Sequence, residues 1–198
     1  MKISKILKSI SLAVVLIIST SSFAQDMSSK KDKKMDMDTK MVGGAEMFPS
    51  KDIVSNAINS KDHTTLVAAV KAADLVATLQ GDGLFTVFAP TNAAFDKLPK
   101  GTVESLLMME NKEKLQSVLT YHVLSGKFSA KDIVRAIKKG KGMAEFTTVN
   151  GAKITAMLDG KMVKLKDASG TVSTVTIADV NQSNGVIHVV DTVVLPRM

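Results

Sequence analysis

The sequence predicts an α+β fold in which several α-helices pack against a sheet of mostly antiparallel strands, and a change of pattern along the chain predicts it. From Pro49 to Gly140 apolar residues recur mainly at the three- and four-residue spacing of helices, while after Gly142 the spacing becomes two. Asn150-Gly151 and Asp159-Gly160 interrupt that alternation, and such pairs are strong hairpin signals because a two-residue turn needs positive φ at its centre.

Taken in order, Ser50 can cap a helix that lines up Ile53, Val54, Ala57 and Ile58 on one stripe. Thr64 or Thr65 can cap the next, with Leu66, Val67, Val70 and Ala73 on one face, a break near Asp74, and Gly81-Asp82-Gly83 as the stop. Leu84 to Ala89 is a short apolar run ended by Pro90, the profile of a buried strand. Thr91 and Asn92 can cap a short helix carrying Ala94, Phe95 and Leu98, and helical spacing continues from Thr102 to Thr120. Ser129 with Asp132 forms a capping box ahead of Ile133, Val134 and Ile137, and Lys138, Lys139 and Gly140 suit a helix C-terminus. The strand half contains Phe146 to Val149, the alternations around Ile154, Ala156 and Leu158 and then Val163 and Leu165, a strand from Val172 to Ile177, and a final strand from Val186 to Leu195. In that last strand both faces are apolar, which predicts a central position.

The ends carry a different kind of information. Lys2, Lys5 and Lys8 precede the apolar run Ile10 to Ile18, and Ser22-Phe23-Ala24 supplies small residues at a cleavage site, so residues 1–24 read as a signal peptide cut after Ala24. The run is shorter than the roughly 20 apolar residues of a spanning helix. Residues 25–47 mix Lys, Asp, Ser and Met without apolar period and read as a solvated, disordered linker; residues 48–198 are the folded domain. That domain, about 150 residues long, can bury roughly 70% of its unfolded surface in one core. It must do so without disulfides, since the chain has no cysteine. The formal charge of +7 includes the three signal-peptide lysines, and with two Arg, no Trp and a single Tyr the chain does not show the pattern of a nucleic-acid binder.

Phe85 to Phe95, FTVFAPTNAAF, and Asn184 to Pro196, NGVIHVVDTVVLP, resemble the two signature segments of the fasciclin domain family, and Tyr121-His122 in LTYHVL resembles its Tyr-His motif. All three stand in the family's order. The resemblance implies a wedge or sandwich of β-strands packed against helices, no shared catalytic reaction and no cofactor. It also implies a role in adhesion, matrix contact or ligand capture.

Tyr121 and His122 are the candidate partner-binding residues, because the resemblance associates that motif with receptor contact in animal members. The residues themselves equally fit a packed aromatic beside a hydrogen-bonded imidazole. His188, between Val186 and Val190, reads as structural, and His63, His122 and His188 form no His-x-x-x-His. Catalytic and metal sites are therefore not expected, with one exception in the linker. There Met27, Met35, Met37 and Met41 are soft thioethers of the kind that select Cu(I). Lys138, Lys139 and Lys141 either complement the helix dipole or meet an acidic polysaccharide or anionic lipid surface. The expected function is non-catalytic binding of polysaccharide, lipid or protein in the periplasm or outside the cell, with membrane contact at most peripheral and no nucleic acid. The alternative is a lipid or small-molecule carrier whose apolar pocket includes Leu107, Met108 and Met109.

Overall fold

The computed structural model describes residues 39–197, so the signal-peptide assignment of residues 1–24 and the linker methionines Met27, Met35 and Met37 lie outside the described residues. At Lys40 the structure departs from expectation. β1 (Lys40–Val42) and β2 (Ala45–Met47) form an antiparallel hairpin turning at Gly43-Gly44, whose φ angles of +59° and +76° suit glycine. Val42 and Met47 share one face and are buried in the main core, while Met41 points the other way and is 59% exposed. Residues 40–47, expected to belong to the linker, are instead part of the folded body. Three-residue strands are too short to show a period, which is why residues 40–47 read as linker.

α1 (Ile53–Ala57) is capped by the Asp52 carboxylate, which accepts from the N–H groups of Val54 and Ser55 at 2.9 Å each, rather than by Ser50. It ends one residue before Ile58, leaving that side chain exposed. α2 (Thr64–Ala72) and α3 (Val76–Gln80) are separated at Asp74, whose φ of +55° breaks the helix where the sequence predicts a break. β3 (Phe85–Pro90) leads into α4 (Asn92–Phe95), and the Thr91 hydroxyl accepts from the Ala94 N–H at 3.2 Å. α5 (Thr102–Leu107), α6 (Lys112–Tyr121), β4 (Val123–Ser125) and α7 (Ala130–Lys139) follow, the last with the full Ser129–Asp132 capping box.

The strands β5 (Met143–Thr147), β6 (Lys153–Asp159), β7 (Met162–Lys166), β8 (Val172–Gln182) and β9 (Gly185–Val190) complete a seven-stranded sheet ordered β4-β3-β9-β8-β7-β6-β5. Only β3 and β9 pair in parallel; every other neighbour is antiparallel. The sheet also curls. An antiparallel bridge from Leu124 to Thr148 and a 2.8 Å bond from the Val149 N–H to the Val123 carbonyl join its first strand to the segment just beyond its last.

β9 is buried along its whole length, as its two apolar faces predict, and with β3 it divides the interior into two cores. Val87, Ala89, Ile187 and Val189 face α1, α2, α4 and α6. Phe88 and Val190 face the opposite way, toward Ile133 and Ile137 of α7 and Ile154 and Leu165 of the hairpin strands. Three strand boundaries differ most from expectation, the first being β5, which starts at Met143 and ends at Thr147 instead of running from Phe146 to Val149. β8 runs on to Gln182 through a bulge between Ile177 and Val180, where Asp179 takes φ +56°. β9 ends at Val190, and beyond it side chains join the backbone in the pairing: the Asp191 N–H donates to the Thr174 carbonyl at 3.1 Å while its carboxylate accepts from the Thr174 N–H at 2.8 Å, and the Ser173 hydroxyl donates to the Thr192 carbonyl at 2.7 Å.

Candidate functional site

α6 delivers Tyr121 and His122 to the interior, not to the surface. Tyr121 is 0% exposed and His122 3%. The Tyr121 hydroxyl donates to the Lys153 carbonyl at 2.8 Å, fastening α6 to β6, and burial, followed by the nearby Asp167 charge, pushes its pKa up. Val118 offers His122 a carbonyl and Val194 offers it an N–H, so the tautomer is fixed: Nδ1–H donates at 2.8 Å and bare Nε2 accepts at 3.2 Å. That imidazole is neutral, with burial lowering its pKa to about 4. Both side chains are buried and bonded internally, and His122 also lines an apolar cavity between the helices and β3. Burial and internal hydrogen bonds are the features that the packed-aromatic reading expects.

Beside it lies a residue the sequence does not single out. Asp167 is buried, and its Oδ2 accepts from the Leu195 N–H at 2.9 Å while Oδ1 accepts from the N–H groups of Ser169 and Thr171 at 2.9 and 2.8 Å. His122 and Asp167 therefore hold consecutive backbone N–H groups of the segment that follows β9.

His188 is likewise internal. Its Nδ1 accepts from the Asp179 N–H at 3.2 Å, its Nε2–H donates to the Phe128 carbonyl at 2.9 Å, and its ring stacks on Phe88 at 5.7 Å. Burial lowers its pKa. His63 bonds to Ser60 at 2.9 Å through Nδ1, while its Nε2 has no hydrogen-bond partner of good geometry; burial lowers its pKa, with the Ala89 carbonyl and Asp62 pulling the other way. Among the described residues no three His, Cys, Asp or Glu side chains gather as a metal cluster.

Buried amides do similar work. Asn184 accepts from the Ile53 N–H at 3.1 Å and donates to the Leu79 carbonyl at 2.7 Å, joining α1 and α3 to the β8–β9 turn. Asn56 is tied to both backbone groups of Phe48, at 3.0 and 2.8 Å, and to Gln182. Asn92 does not cap its own helix. Its Oδ1 accepts from the Thr65 N–H at 3.0 Å, capping α2 from across the chain, and its amide donates to the Lys61 carbonyl at 2.9 Å.

An apolar cavity of about 60 Å³ lies between α1, α2, α3 and β3, lined by Ile53, Leu66, Val70, Leu79 and Phe85 among others. Leu107, Met108 and Met109 do not line it. They sit around the turn between α5 and α6, with Met109 93% exposed. The cavity is well below the roughly 300 Å³ at which ligand sites begin. On the outside, α7 presents a row of exposed cations that includes Lys138 and Lys139.

The wedge of helices on a curled sheet, with both signature segments forming its central parallel pair, defines a class that the comparisons identify. A model of the fasciclin domain matches residues 61–196, and the chain belongs to that family. Protein sll1483 of Synechocystis sp. is 49% identical over 146 residues, which is 74% of each chain. The cell surface glycolipoprotein MPB83 of Mycobacterium bovis is 32% identical over 149 residues, covering 73% of this chain and 60% of that one. The fasciclin-domain pair of the insect cell adhesion molecule Fasciclin I superposes with a TM-score of 0.67 at 19% identity, over 75% of this chain and 52% of that one. Among the described residues no helix is long and apolar enough to cross a membrane.

Proposed function

We propose that the protein is exported and acts in the periplasm or outside the cell as a non-catalytic adhesion and ligand-binding module, contacting polysaccharide, lipid or another protein. The observation that carries this reading is kinship with a protein named a cell surface glycolipoprotein, within a family matched along most of the domain. The charged leader Lys2, Lys5 and Lys8, the apolar run after it and the Ala24 site support export. The interior supports binding without catalysis: both ring nitrogens of His122 and of His188 are occupied by backbone groups, which leaves neither ring free to move a proton. The carrier alternative draws on the 60 Å³ cavity, which is too small for an acyl chain without rearrangement.

The test is retention of the purified mature chain on washed envelope material from its host, with extraction and mass spectrometry of whatever co-purifies. Retention supports the binding-module reading. A stoichiometric co-purifying lipid with no retention would replace it with the carrier.

A further inference from the structure

α7 is amphipathic in an unusual way. Its apolar side chains Ile133 and Ile137 are buried against the sheet, and its outer face carries Lys131, Arg135, Lys138 and Lys139, all exposed. Lys127 before the helix and Lys141 after it are exposed too. Between residues 127 and 142 the only carboxylate is Asp132, and it is committed to the capping box and to Arg135 at 3.0 Å.

Helix stability does not account for this row. The helix dipole favours Lys138 and Lys139 in the last turn, but it disfavours Lys131 in the first. Lys131 and Arg135, and again Arg135 and Lys139, are like-charge pairs at four-residue spacing, an arrangement that weakens a helix. Four lysines outside this helix are ion-paired, Lys97 with Asp191, Lys112 with Asp74, Lys153 with Glu145 and Lys164 with Asp159, while single lysines such as Lys71, Lys100 and Lys114 stand unpaired among the described residues; α7 differs in gathering four cations on one face. The α7 lysines have no ionic partner among the described residues.

We propose that the outer face of α7 is the docking surface for a linear acidic polysaccharide. This rests on the envelope-binding reading above and names the partner and the surface. Lys131 to Lys139 span about 12 Å at 1.5 Å per residue, an extended cationic stripe instead of a pocket, which suits a chain of repeated carboxylates or sulfates better than a single anion. The helix has spent its apolar face on the core and bears no exposed aromatic ring. It therefore has nothing to insert into a bilayer and nothing on which to stack bases.

Binding of the mature chain to alginate, to neutral dextran and to vesicles of equal parts phosphatidylglycerol and phosphatidylcholine tests this in rising sodium chloride. Two variants of equal net charge are compared: Lys131→Gln/Arg135→Gln/Lys138→Gln/Lys139→Gln, and Lys71→Gln/Lys100→Gln/Lys114→Gln/Lys161→Gln at exposed lysines off this face. The expected result is salt-sensitive binding to alginate and none to dextran, with at least about tenfold loss for the α7 variant and less than about twofold for the other. Circular dichroism confirms folding, and Lys131→Gln alone, expected to lose part of the affinity, guards against a fold defect in the quadruple variant. Equal losses in both variants, no loss in the α7 variant, or binding to vesicles without binding to alginate would each overturn the proposal. Where wild type and α7 variant are retained equally on envelope material, this inference falls and the binding-module reading stands. Where wild type is retained on neither envelope nor alginate, both fall.

Discussion

The Nε2 atom of His122 accepts a hydrogen bond from the backbone N–H of Val194 at 3.2 Å, across 72 residues of sequence. The bond acts as a latch, holding the segment that follows β9 against the last turn of α6.

His122→Leu leaves the Val194 N–H and the Val118 carbonyl buried without partners, and should cost about 1–3 kcal/mol by urea denaturation. Tyr121→Phe loses only the bond to the Lys153 carbonyl and should cost about 1 kcal/mol. Both variants, where folded, should be retained on envelope material as well as wild type. Selective loss of retention with unchanged stability would mean that the pair is reached by a partner after all.

Stability should fall on acidification. The folded pKa of His122 lies at about 4, below its unfolded value near 6.5, so the unfolded chain takes up the proton first and the folded state is disfavoured as pH drops. The loss begins below about 6.5, levels off below about 4 and amounts to about 3 kcal/mol for this residue. His63 and His188 act in the same direction. Urea midpoints measured between pH 7.5 and pH 4 check the slope, and a flat profile would show that these imidazoles charge freely in the folded state.

Gly185→Ala should be severe. A Cβ there would lie 2.1 Å from the Phe85 carbonyl oxygen in the neighbouring central strand, and that backbone has nowhere to move. A loss of about 3 kcal/mol or more is expected, seen as a drop in thermal midpoint or as failure to accumulate. Gly151→Ala, with open space around it but φ +84°, should cost only about 1 kcal/mol.

Asn92→Ala removes the oxygen that caps α2 from a distance and should cost about 1 kcal/mol. Thermal unfolding followed by circular dichroism is the measurement. A neutral result would show that solvent replaces the cap without penalty.

Much of the fold was legible because burial imposes a period. The continuous apolar run of β9 announced a strand covered on both faces, Asp74 announced the break between α2 and α3, and Ser129 with Asp132 announced the start of α7. The hairpin at Lys40–Met47 was not legible, since three residues a side carry no period and its burial depends on strands far along the chain. Long-range polar ties were equally silent. Nothing local marks Asn92 as the cap of another helix, or Asp167 as the acceptor for Leu195. For the site, the sequence singles out Tyr121 and His122 as a pair but cannot say which way the last turn of α6 points them.

The parallel pairing of β3 with β9 sets the timetable of folding. Val87 meets Ile187 across a hundred residues, so the most enclosed seam of the protein cannot close until nearly all of the domain has been synthesised. Contacts of such long sequence separation make folding slow, and a chain still lacking β9 leaves one edge of β3 unpaired. For the export proposed above, such late closure of the seam would suit a chain that crosses a narrow translocation channel before it folds.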